Sequence, residues 1–229
     1  MPRSPRANEP SRPSAPSPLN RAYRNGWAIA LFAVLAIFAG ASDLWTKHLA
    51  FTRLLDTPSL PRKVEALFGT TQPTDVTPQI TRQVLQHLHI TKRICFGLSF
   101  TLSTNPGVVF GIRWFPLWLV NLITVFMMLF VIGFFLFCES RHYWLHAALA
   151  LLMGGAFGNL YDRLVSCVAL PYLPPIRYHV RDFIDCSDLG YKWVFNLSDA
   201  WLVVGVAMIL LYWVWMNRNA RQTDAAKKK

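Results

Sequence analysis

Long apolar runs alternate with polar stretches along this chain, and each run is about as long as a membrane is thick. A spanning helix needs about 20 mostly apolar residues. Four stretches reach or approach that length: 27–51, 116–137, 143–160 and about 196–215. The second is nearly uninterrupted (LWLVNLITVFMMLFVIGFFLF). The third is rich in small residues at Gly154-Gly155-Ala156-Phe157-Gly158, which let helices approach closely in lipid. Asp43 and Lys47 interrupt the far third of the first run; four apart, they share a helical face and can pair close to the interface. A structural contact and a functional one both fit that pair. The basic leader, short apolar core and Ala39-Gly40-Ala41 also fit a cleavable signal peptide, although an uncleaved helix is preferred.

The polar stretches carry weaker patterns. Residues 52–93 have little periodicity, except that Ile80, Val84, Leu85 and Leu88 have the spacing of a short amphipathic helix. Over 93–103 large apolar residues alternate with small or polar ones, which predicts a half-buried strand. Asn105-Pro106-Gly107 then makes a turn, with a returning strand over 108–112, and 166–178 is a proline-rich loop. The pattern predicts an all-α membrane protein: a four-transmembrane-helix bundle with a small extracytoplasmic β-sheet.

Composition agrees, with 53% apolar and only 15% charged residues, against about 25% charged in soluble domains. The net charge of +11 lies largely at the ends: Arg3, Arg6, Arg12, Arg21 and Arg24 precede the first run, and Arg218, Arg221, Lys227, Lys228 and Lys229 follow the last. Basic flanks mark the cytoplasmic side, so both termini are expected there. Without a basic stripe interleaved with aromatics, nucleic-acid binding is the weaker reading. Residues 1–25 carry too little apolar surface to order and are expected to be a disordered basic tail. Residues 26–217 form the membrane domain, with an extracytoplasmic insertion at about 52–114, and 218–229 a second basic tail. The four cysteines show no CxxC spacing, and the histidines no metal-ligand spacing. Cys167 and Cys186 share a loop and are either a disulfide or two free thiols.

The chemistry concentrates at 179–185 and 195–199, where carboxylates and an asparagine lie at the mouth of an apolar run. An ionisable residue beside hydrocarbon is costly and marks a functional site by default. Asp182 and Asp199 are read as a pair that shares a proton and activates water, as in aspartic peptidases. Taken alone, Asn196-x-x-Asp199 is a helix cap with an acidic third residue. The two readings are compatible, since a helix N-terminus favours negative charge. Asp185 is the main competitor for the role of Asp182.

Five stretches carry a resemblance: Asp43-Leu44-Trp45-Thr46-Lys47, 105–111 (NPGVVFG), 155–164 (GAFGNLYDRL), 180–185 (VRDFID) and 195–199 (FNLSD). In order and placement they are similar to the signature stretches of lipoprotein signal peptidase (signal peptidase II). The resemblance implies an aspartic endopeptidase of the bacterial inner membrane. It would remove signal peptides from diacylglyceryl-modified prolipoproteins, cleaving before the lipidated cysteine near the extracytoplasmic face. The catalytic aspartates then fall on Asp182 and Asp199. Substrate-binding or site-supporting positions fall on Asn105, Gly107, Asn159, Arg163 and Asn196, with Asp43, Lys47 and Asp162 as charged neighbours. No metal or organic cofactor is implied; the partners are lipid-modified prolipoproteins and membrane lipids, and the chain is expected to be monomeric. Arg181 and Ser198 depart from the family pattern, as do the long outer loop and the proline-rich 166–178. The rival reading is a non-catalytic or ion-coupled membrane protein that uses the same carboxylates to bind protons or cations.

Overall fold

The computed structural model describes residues 21–70, 73–107 and 116–227. Four long helices dominate it: α1 (Gly26–Leu55), α4 (Leu117–Phe137), α5 (Tyr143–Val165) and α6 (Leu197–Lys227). Between α1 and α4 come α2 (Leu60–Phe68), α3 (Pro78–Leu88), β1 (Thr91–Cys95) and β2 (Leu98–Asn105); between α5 and α6 come β3 (Cys167–Val168), β4 (Ile176–Arg177) and β5 (Val180–Asp185). The protein is thus mostly helical, with a small antiparallel sheet.

Of the four long helices, α1, α4 and α6 are long and apolar enough to cross a membrane. The remaining one, α5, is the centre of the bundle and packs against the other three. Because its surroundings are protein, α5 can carry His146, Asn159 and Asp162 buried in its length. Its glycines set the spacing. A β-carbon on Gly154 would lie 2.5 Å from the Ala36 carbonyl oxygen and 2.9 Å from Gly40 N, so α1 and α5 cross backbone to backbone. α4 buries only Val120, Val131 and Phe135 and turns the rest of its apolar surface outward, as a lipid-facing helix would.

The start of α1 is fixed by Asn25, whose side chain accepts from Trp27 N and Ala28 N, satisfying two of the first-turn donors. Just before it, Ala22–Arg24 form a 3-10 turn, and Ala22 N donates to Cys138 O at 2.9 Å. Arg21 also donates to the Phe137 carbonyl. Residues 21–25, expected in the disordered tail, are therefore held on the α4–α5 connection because Ala22 is fully buried there. Residues 1–20 of that tail lie outside the described residues. At the other end, α6 continues to Lys227, through the segment expected as a basic tail.

The strand expected over 93–103 is instead a hairpin, β1–β2, with Gly97 at φ +80 in the turn, a conformation that favours glycine. The returning strand expected over 108–112 lies outside the described residues. The third strand comes from elsewhere: β5 pairs antiparallel with β2, placing Asn105 opposite Val180 and Ser103 opposite Asp182. The proline-rich stretch is not a bare loop either. Cys167 and Val168 pair with Arg177 and Ile176, and Leu170, Leu173 and Ile176 are buried. With Phe51, Leu54, Leu60, Val64, Leu85, Leu102 and Phe183 they form one apolar core, which fastens the sheet to the end of α1. Cys167 and Cys186 are both free thiols.

Candidate active site

Backbone pairing brings the two stretches singled out in the sequence together. Ile184 N donates to Phe195 O at 2.8 Å, and Phe195 N returns a bond to Ile184 O at 3.0 Å. This bridge sets Asp182, in β5, beside Asn196 at the mouth of α6. The Asn196 side-chain amide donates to Asp182 Oδ1 at 2.6 Å. Asn196 also caps α6 reciprocally: Asp199 N donates to Asn196 Oδ1 at 3.0 Å, while Asn196 N donates to Asp199 Oδ2 at 3.3 Å. One asparagine therefore holds both carboxylates.

The second bridge is Asn159, from the last turns of α5. Its amide nitrogen donates to Asp199 Oδ1 at 2.8 Å. Its carbonyl accepts from Asn196 Nδ2 and from Lys47 Nζ, both at 3.1 Å. Lys47 leads to a charged layer beneath the site. Its ammonium lies 2.7 Å from Asp43 Oδ2 and 3.2 Å from Asp162 Oδ2, and all three side chains are fully buried. The Asp43 contact is one of charge proximity rather than hydrogen-bond alignment. The other oxygen of Asp43 accepts from Ser198 N at 2.8 Å, which ties α1 to the first turn of α6. Gly158 makes room for this: a β-carbon there would strike Ser198 Oγ and Asp43 Oδ2. The pair at positions 43 and 47, expected close to the interface, is thus part of a buried knot that joins the three helices α1, α5 and α6 rather than a snorkelling contact.

Asp162 binds on its other side to Arg181, accepting from Nη2 at 2.7 Å, Nε at 3.0 Å and the backbone N at 2.9 Å. Arg181, which departs from the family pattern, thereby clamps β5 to α5 one residue before Asp182. Its role was not recognised from the sequence; an arginine in the short strand bearing the acid was the available signal. Ser198, the other departure, contributes its backbone to Asp43, and its side chain is fully buried.

The remaining candidates fall at the rim. The charge of Arg163 faces Asp199, Asp182 and Asp162, and its Nε is buried without a hydrogen-bond partner. Asn105 ends β2 and accepts from Gly107 N at 2.9 Å, an Asx turn that places both at the start of β5 without joining the carboxylate network. Asp185 is separated from the site. Three residues from Asp182 on a strand, it points to the opposite face, where it accepts from Thr101 Oγ1 at 2.8 Å and Ser187 N at 2.9 Å. Asp188 pairs with Arg93 at 2.7 Å on the surface.

Burial dominates the electrostatics of Asp182, which is 4% exposed. Desolvation, followed by the nearby Asp199 charge, pushes its carboxyl up to about 8, while the Asn196 bond pulls in the opposite direction. Burial and the neighbouring carboxylate thus both favour the protonated form of Asp182. Two carboxyl groups held by one asparagine can, when they share a proton, take a proton from water and give one to a carbonyl oxygen.

Known proteins share this arrangement of sequence and fold. Residues 34–215 match the family model described as signal peptidase (SPase) II. A lipoprotein signal peptidase of Rhodopirellula baltica is 34% identical over 80% of this chain and 70% of its own. One of Halalkalibacterium halodurans is 31% identical over 62% of this chain and 87% of its own. Among solved structures, a bacterial membrane enzyme determined in meso at 2.3 Å resolution superposes with a TM-score of 0.54 at 22% identity, covering 87% of this chain and 94% of that one. That likeness is one of fold. A match over most of the length, with the five stretches in order inside it, makes this chain a member of the signal peptidase II family of membrane peptidases.

Proposed function

We propose that the protein is a membrane-embedded aspartic endopeptidase that removes signal peptides from diacylglyceryl-modified prolipoproteins, cleaving the bond before the lipidated cysteine. The observation that carries this reading is the hold of Asn196 on both Asp182 and Asp199. Membership in the family supports the substrate class.

Water sits between the two carboxyl groups and attacks the scissile carbonyl. Asp199 takes the water proton as general base. Asp182 gives its proton to the carbonyl oxygen, which becomes the second hydroxyl of the tetrahedral intermediate. Collapse breaks the C–N bond. The proton held by Asp199 passes to the cysteine amine as it leaves, and Asp182 recovers its own. Asn159 and Asn196 keep Asp199 and Asp182 in register, and Arg163, with its Nε unpaired, binds a substrate carbonyl at the rim. The end of β2 at Asn105 aligns the extended peptide.

In this reading all four long helices cross the bacterial inner membrane. α5 can do so despite its polar residues because its neighbours cover it. Both termini are cytoplasmic, the sheet is extracytoplasmic, and the diacylglyceryl chains lie in lipid between the helices. Expression in a bacterial strain unable to mature its lipoproteins tests this. The wild type should restore processing, and the Asp182→Asn and Asp199→Asn forms should not, while reaching the membrane in equal amount. Failure of the wild type, or rescue by either variant, contradicts the reading.

A further inference from the structure

A cleft of about 520 Å³ opens beside the candidate site, lined by Arg82 of α3, Arg177 of β4 and His179, with Pro78, Pro106 and Pro175 around them. Among the described residues its lining includes two arginines and a histidine and no carboxylate. Arg82 is oriented by donating from Nε to the Thr104 carbonyl at 3.1 Å, at the end of β2. Arg177 is exposed and makes no ion pair among the described residues. The walls come from α3, the turn after β2 and the proline-rich insertion, all outside the long helices.

We propose that this cleft is a subsite for an acidic side chain of the substrate, on the segment that follows the lipidated cysteine. The proposal rests on the peptidase reading and adds a sequence preference to it. Position and chemistry both argue for that segment. His179 directly precedes β5, and Pro106 follows Asn105, the register partner of Val180. From His179 to Asp182 an extended strand covers about 10 Å, or about three residues of an extended substrate. A signal peptide is apolar and stays with the membrane; the chain beyond the cysteine must leave it through polar surroundings. A groove of prolines with the exposed Tyr178 on its rim suits an extended peptide. The exposed Arg177 guanidinium supplies planar donors for a carboxylate.

The test uses two purified diacylglyceryl-modified precursors that differ only by Asp or Asn at the third residue after the cysteine. Wild-type enzyme should cleave the Asp precursor with a kcat/KM roughly five- to tenfold higher, the difference lying in KM and shrinking as salt is added. Arg177→Glu should reverse the preference, and Arg177→Lys should keep most of it. Equal cleavage of both precursors by the wild type overturns the subsite without reference to any variant. So does an Arg177→Glu form that loses activity equally on both, the result expected if the cleft held a lipid phosphate. If the wild type cleaves neither precursor, the peptidase reading itself falls, and the subsite with it.

Discussion

Asn196 Nδ2 lies 2.6 Å from Asp182 Oδ1, and both side chains are buried. This bond opposes the burial that pushes the Asp182 carboxyl up to about 8, and it fixes that carboxyl relative to α6. Replacing Asn196 with alanine should cost roughly 100-fold in kcat, because Asp182 and Asp199 lose their common holder. The alkaline limb of the pH–kcat profile should also move to higher pH, since a bond that lowered the Asp182 value is gone. A pH profile measured for Asn196→Ala checks both; an unshifted limb would argue against Asp182 as the acid.

Asp182 also predicts how folding stability depends on pH. Its folded-state value, about 8, lies above the ordinary 3.8. The folded protein therefore binds more protons than the unfolded chain between those values. The associated stability is fully present below about pH 4 and is lost as pH rises through about 8. An Asp182→Asn form escapes that loss. Its Tm in detergent should exceed that of the wild type at pH 8, with the difference closing toward pH 4. A difference that stays constant with pH would show that Asp182 is not held protonated.

The layer beneath the site is expected to be unforgiving. Lys47 is fully buried and faces both Asp43 and Asp162. Lys47→Met keeps most of the volume but strands two buried carboxylates. Removing one partner from such a set costs about 3–5 kcal/mol. Thermal or denaturant unfolding of the variant measures it, and a loss below about 1 kcal/mol would mean that water or protonation already screens the site.

Gly158 tests the approach of α5 to its neighbours. Its β-carbon in a Gly158→Ala form would meet Asp43 Oδ2 and Ser198 Oγ, so α1, α5 and the first turn of α6 must separate. Overpacking of this kind costs about 1–3 kcal/mol. Because the shift moves Asp199, activity should fall further than stability alone explains; paired unfolding and cleavage assays separate the two effects.

Much of this was legible in the sequence, for reasons that also explain what was not. Apolar runs announced the long helices, and the four-residue spacing of Asp43 and Lys47 announced their shared face. The burial of that pair was hidden, because it depends on Asp162 arriving from α5. α2 was missed although Leu60 and Val64, its buried residues, are four apart. The stretch 52–93 shows little periodicity overall, yet Pro61 is compatible with α2 because proline is well tolerated in a helix's first turn. Apolar alternation continues on both sides of Gly97, so the local pattern does not separate the β1–β2 hairpin from a single strand. Residues alone could not choose between Asp182 and Asp185. The choice turns on β5 being a strand, which sends them to opposite faces. The meeting of Asp182 with Asp199 depends on the backbone bridge from Ile184 to Phe195, a pairing that no local pattern encodes.

The most direct test of the two-aspartate site is mass spectrometry of a purified diacylglyceryl-modified precursor incubated with purified enzyme. The wild type should release the intact signal peptide and leave the lipidated cysteine as the new N-terminus, and the separately folded Asp182→Asn and Asp199→Asn forms should release none. Signal-peptide release by either asparagine form at the wild-type rate, or a cut at another bond, would contradict it.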